Sequence, residues 1–454
     1  MIRLLTFMVL LGSLSLAHAA VYTVGAGGTH GTIQGAIDAA LVAPGSDEIR
    51  VAEGTFSEHL DFTPTGSGNF ITMSGGWNAG FTAQGPQRSV IDGGGTGRVF
   101  NINMGAGDGF SLHHLKIQNG NASVAAGLLI TQYDDSVMNI DGCEIVGNTA
   151  EDDRAESGGL RATVDGTSQF QLLNSTLSNN HAVCSGDVDC REGGMGLQAS
   201  NSAQVNISGN VISNNTVTIG SGSVLASGAS VSIVDTATLL MEDNQVLNNM
   251  VSGTGGGGTG VGLGLSGDGF LTVRRNLVMG NMASLPNPSV VPQVSFFQWG
   301  SQASVLSDSV IVQSNVKGLV VSTSGDGAPT VHVTNLTVAD NGGTGVQASK
   351  NAVGGALNLS NTISVSNGTN VNLSVEVQST ANLVSGSAGF VDAPSGDYRL
   401  TMDSPARDAG SNSPPGGLGP TDIDGNGRIN AGTVDQGAYE FQSDEVFADS
   451  FETF

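Results

Sequence analysis

The chain has 454 residues, of which 15 are basic and 40 acidic, giving a net charge of −25. That balance excludes nucleic acid and anionic membranes as partners and suits an extracellular protein with some affinity for divalent cations. The 68 glycines are dispersed without a three-residue period, which excludes a collagen-like chain and places glycine at turns and strand starts.

The first residues, MIRLLTFMVLLGSLSLAHAA, carry a basic end at Arg3, a short apolar run from Leu4 to Leu16, and small residues at Ala17 and Ala19. This reads as a secretory signal peptide over 1–19. No later run approaches the roughly 18 apolar residues of a membrane span, so a secreted protein with no transmembrane anchor is expected. Residues 20–60 read as an N-terminal cap. Ile33, Ala36, Ile37, Ala40 and Leu41 fall on one helix face, Thr32 is the N-cap, and Pro44-Gly45 end the helix. A solenoid needs such a lid because an open strand edge invites association.

From 61 to 385 one phrase returns: MNIDGCEIVGN, FQLLNSTLSNN, VNISGNVISNN, LLMEDNQVLNN, LTVRRNLVMGN. Aligned on one apolar position, the copies give Ile117, Ile145, Leu177, Ile212, Val246, Val278, Ile311, Val338 and Ser364. Their spacings of 28, 32, 35, 34, 32, 33, 27 and 26 residues mark a solenoid. Apolar residues alternate within each unit, which argues strand. A glycine opens a second strand at Gly127, Gly159, Gly194, Gly228, Gly262, Gly318 and Gly345, and VSFFQW from Val294 serves the coil lacking one. Short polar residues turn between the strands, at Asp135, Asp165, Asn201, Asp235, Asp268, Ser301 and Asp326. Strands that repeat so can pair with their copies about 4.8 Å away. The fold class is all-β, a parallel β-helix. Asn148, Asn180, Asn215, Asn249, Asn281, Asn341 and Asn367 then stack at one corner as an amide ladder, where asparagine also tolerates a left-handed backbone.

Three features bear on function. The loops between the asparagine corner and the next glycine span 11, 14, 13, 13 and 13 positions in the middle coils, then 4 and 4, and should wall a groove. The first two hold EDDRAE and GDVDCRE, so Asp152, Asp153, Asp187 and Asp189 are candidate ligands for Ca2+, or acid–base carboxylates. In VSFFQWG, core positions for Val294 and Phe296 turn Phe297 and Trp299 outward as candidates for stacking on sugar rings. Asp422-x-Asp424-x-Asn426-Gly427 begins like a calcium loop but lacks the closing acid, since Thr433 stands there; it reads as a structural turn. Cys184 and Cys190 are placed to close a loop disulfide, and Cys143 occupies a small mid-strand position as a buried free thiol.

TIQGAIDAA with IRVAEGTFSEHL, then SGGWN and SVIDGGG, resembles the start of right-handed parallel β-helices of the pectin-lyase-like superfamily, and the repeats also resemble those of polymorphic outer-membrane proteins. The segment 386–441 is similar to the C-terminal block of bacterial surface β-helix proteins called choice-of-anchor Q. The matching pieces are Tyr398-Arg399-Leu400, Ser404-Pro405-Ala406 with Asp408-Ala409-Gly410, Asp424-Gly425 with Arg428, and Asp435 with Gly437-Ala438-Tyr439-Glu440. The likeness implies a surface or secreted protein whose sorting tail varies; here 442–454 is acidic and carries no LPXTG-type motif. Catalytic signatures of the superfamily are missing: there is no R-x-P-x-x-R stretch of pectate lyases, and Asp134-Asp135 is the only fragment near a polygalacturonase motif. The sequence therefore leads to an exported, monomeric surface adhesin or polysaccharide-binding protein. The alternative is a polysaccharide lyase or glycoside hydrolase with an unrecognised carboxylate site.

Overall fold

The computed structural model describes residues 19–42, 45–65, 68–186, 189–220, 222–255, 257–288, 291–430 and 432–442. Residues 1–18, which hold all but the last residue of the expected signal peptide 1–19, Asp187 and the tail from 443 onward lie outside the described residues. Among those described, strands stack into long, wholly parallel sheets of 11, 13, 11 and 6 members, here sheets 1 to 4 in the order a coil visits them. One coil runs Leu160–Val164 in sheet 1, Gln169–Leu173 in sheet 2, Thr176–Ser178 in sheet 3 and His181–Cys184 in sheet 4. The chain is an all-β parallel β-helix solenoid.

The repeat register is the pairing register. Ile117, Ile145, Leu177, Ile212, Val246, Val278, Ile311, Val338 and Ser364 are successive partners in sheet 3. Sheet 3 also reaches upstream, from Ile117 to Ile91 and Phe56. Strands inside 20–60 are thus already members of the stack, and the helix Ile33–Ala40 packs on the first of them. Thr32 caps that helix by accepting from Gly35 N, and Ile33, Ala36, Ile37 and Ala40 join the solenoid core.

At the corner after sheet 3 the asparagines form a chain of amides. Nδ2 of Asn148, Asn180, Asn215 and Asn249 each donates to the Oδ1 of the next rung at 2.9–3.0 Å. The ladder is buried from Asn148 to Asn341 and partly exposed at its last rung, Asn367. The left-handed backbone expected of these residues belongs instead to their predecessors: Asn179, Asn214 and Asn248 have φ of 54°. That placement leaves each ladder asparagine free to turn its amide inward. The glycine column is explained by the same amides. A Cβ on Gly194 would lie 2.4 Å from Gly228 O and 2.9 Å from Asn215 Nδ2, so no larger residue fits beneath the rung.

One rung is exchanged. Where the corner carries Ser314, the glycine position of that coil carries Gln293, whose amide fills the gap: Asn281 Nδ2 donates to Gln293 Oε1 at 2.8 Å, and Gln293 Nε2 donates to Asn341 Oδ1 at 3.0 Å. The position read as mid-strand, occupied by Cys143, is in fact a second corner between sheets 2 and 3. It has its own ladder, from Ser175 through Asn210, Asn244 and Asn276 to Ser309. Cys143 heads that ladder through its backbone N–H, donated to Ser175 Oγ at 3.1 Å, and burial pushes its thiol up to about 12.

The C-terminal segment packs on the outer face of sheet 3. Tyr398, Leu400, Ala406 and Ala438 bury against Val310, Val312, Ala339 and Ile363. Asp422 is buried, and its carboxylate accepts from the backbone N–H groups of Asp424, Asn426 and Glu440. The calcium-like phrase is accordingly a turn held by its own first residue.

Candidate functional site

The long loops of the middle coils do more than project. Their first halves form sheet 4, and with Ser223–Ala226 paired to Gly257–Gly260 they build a side lobe with its own core of Ala150, Ala182, Cys184, Val217, Ile219 and Val251. Cys184 and Cys190 are joined as a disulfide within it. No described helix is long and apolar enough to cross a membrane.

Between this lobe and the outer face of sheet 1 lies a trough of about 390 Å³. Its floor follows from period two. Sheet-1 strands put apolar residues inward and Gln198, Ser230, Ser232, Gly264, Ser266 and Ser295 outward, and these are small except at one end. Leu225 and Arg191 from the lobe form one wall. Phe297 and Trp299 close the far end, Phe297 half-buried and Trp299 38% exposed, while Val294 and Phe296 are buried. A larger trough of about 690 Å³ lies on sheet 2, lined by Gln171, Asn206, Thr238 and Phe270. It holds a single exposed aromatic ring, and its Arg274 is tied to Glu242 at 2.7 Å. The sheet-1 trough has the richer chemistry.

The charges of the first two loops are ordered as a mixed network. Arg191 Nε lies 3.0 Å from Glu156 Oε1, Arg154 Nε 3.5 Å from the same oxygen, and Arg161 Nη1 3.8 Å from Glu156 and 3.6 Å from Glu192. Glu192 is buried and accepts from Ser157 Oγ at 2.8 Å. Burial raises its pKa, and Arg161 opposes that rise. Gly196 makes room for it, since a Cβ there would fall 2.5 Å from Glu192 Oε2. The network fixes the lobe to sheet 1 and holds Arg191 at the trough edge. Glu156 and Glu192 end the charged loop phrases EDDRAE and GDVDCRE, but nothing in the sequence pairs them with Arg161, which lies in the strand phrase GGLRA.

The candidate cation ligands have separate partners. Asp152 caps the backbone N–H of Asp153, Asp153 accepts from Ser185 Oγ at 2.9 Å, and Asp189 accepts from Ser223 Oγ at 2.6 Å. Those bonds from Ser223 hold the Asp189 carboxyl below its usual range. Among the described residues, no three His, Cys, Asp or Glu side chains gather as a metal-binding group.

A family model described as "Right handed beta helix region" matches residues 101–301, which contain every residue of the sheet-1 trough. No curated protein matches the chain. With its stacked parallel sheets, the chain is a right-handed parallel β-helix.

Proposed function

We propose that this is an exported surface protein that binds polysaccharide in the sheet-1 trough without cleaving it. One observation carries the reading: Phe297 and Trp299 stand at the end of an open trough whose floor is serine and glycine. Sugar rings stack on aromatic faces while their hydroxyls need small polar partners, and a shallow floor admits a chain rather than a single sugar. A surface location rests on the signal-peptide pattern and on the likeness of 386–441 to choice-of-anchor Q blocks. The hydrolase alternative would turn to Glu156 and Glu192. Both are bound to arginines and Glu192 is buried, while Asp152, Asp153 and Asp189, the described carboxylates first considered for that role, each hold a separate local partner.

A glycan array run beside reducing-end assays tests the reading. The expected result is binding without release of new reducing ends, weakened about tenfold or more by Trp299→Ala, or about 1.4 kcal/mol. Binding untouched by that change, or product formation with any bound glycan, would overturn it.

A further inference from the structure

The two ends of the solenoid are finished differently. At the first, the helix Ile33–Ala40 lays its buried face on the opening strands. At the other, the last coil places Thr369–Leu373 at the edge of sheet 1 and Gln378–Thr380 at the edge of sheet 2. No described strand pairs with either outer edge. The core is open there as well. Val346, Ala348 and Leu357 one coil above are 0–2% exposed, whereas Val371, Leu373 and Val377 pack on the core and remain partly exposed. Val375 between them is 96% exposed. The C-terminal segment covers the outer face of sheet 3 and leaves these residues bare.

We propose that this end face is a self-association surface that takes a second copy of the chain, edge to edge. Free strand edges with alternating apolar residues and no proline are the structures that recruit another strand. Asn370-Val371-Asn372-Leu373 has that pattern, and the turn and bend that follow present Val375 and Val377. A lone extended peptide can satisfy one edge. A second solenoid end presents both, and a two-fold axis brings Thr369–Leu373 against its copy in antiparallel pairing. Charge points the same way: between Lys350 and Asp392 the only charged residue is Glu376, in a chain of net charge −25. Two such chains repel over most of their surface and can approach at this neutral face. The last coil, residues 369–385, approaches the roughly 20 residues a side of a stable interface. The proposal departs from the monomer expected from sequence.

Sedimentation of the full chain over a concentration series tests this. The expected result is a reversible dimer whose dissociation constant rises at least tenfold in Val375→Lys, with an unchanged melting temperature because that side chain touches nothing in its own fold. Gln378→Lys, on the second free edge, should raise the dissociation constant likewise. A parent that stays monomeric throughout, or lysine variants as dimeric as the parent, would overturn the proposal. So would a parent that dimerises only once residues 443–454 are removed, since the chain's own end would then be the occupant.

Discussion

The solenoid interior and the C-terminal segment bury polar groups in opposite ways. Along the corner ladders of the solenoid the buried polar residues are neutral amides and hydroxyls, each bonded to its counterpart in the next coil. In the C-terminal segment they are ionisable. Arg428 meets Asp308 of the solenoid at 3.2 Å with both side chains at most 2% exposed, Asp435 accepts from Phe441 N at 2.6 Å, and Glu440 accepts from Asn430 N and Asp435 N at 3.1 Å. The difference lies in repetition. A repeat supplies an identical partner every coil, so one uncharged side chain can both donate and accept along the axis. A segment without repeats must gather scattered backbone N–H groups, and a carboxylate with several lone pairs does that best.

The largest effect should come from breaking the ionic anchor. Arg428→Met leaves Asp308 buried without its cation, and Arg428 also donates to Gly437 O at 2.6 Å. A loss of about 3–5 kcal/mol is expected by chemical denaturation. Burial already pushes Asp308 above the usual carboxylate range, so part of that loss should return at low pH, where the acid is neutral. A variant as stable as the parent would make the pair ornamental. The ladder offers a smaller, two-step test at its exchanged rung. Gln293→Gly removes the amide between Asn281 and Asn341 and should cost about 1–3 kcal/mol through unsatisfied partners. Adding Ser314→Asn restores the Gly–Asn pairing of the other coils and should recover most of that loss. A double variant no more stable than the single one would show that neighbouring residues, and not the rung, set the exchange.

The sequence was most informative where repetition amplified a weak signal. Nine copies of one apolar position gave the sheet-3 register, and the asparagine column gave the ladder. The second ladder stayed hidden because its rungs alternate between Ser175, Asn210, Asn244, Asn276 and Ser309, which share hydrogen-bonding capacity but not identity. Gln293 was hidden because its partners lie 12 and 48 residues away. The outward turn of Phe297 and Trp299 followed from strand alternation. The network behind Arg191 did not, because Glu156, Arg161 and Glu192 meet only when successive coils stack.

The smallest effect concerns pH and sharpens the same contrast. Amide ladders do not titrate, so they contribute no pH dependence between 4 and 9. Glu440 does: burial raises its pKa from 4.5 to about 7. A carboxyl that holds its proton more tightly when folded stabilises the folded state below its unfolded pKa, and that contribution is lost as pH rises through the folded value. Asp435, also raised mainly by burial, acts in the same direction. The melting temperature should therefore fall as pH is raised from 4.5 to about 7 and level off above. Glu440→Gln should flatten that fall whatever its effect on absolute stability, because the side chain no longer titrates. A parent whose melting temperature is constant over this range, or a variant that keeps the full slope, would place the titrating groups outside the C-terminal segment. Glu192 at the lobe, whose pKa burial also raises, would then be the next residue to replace.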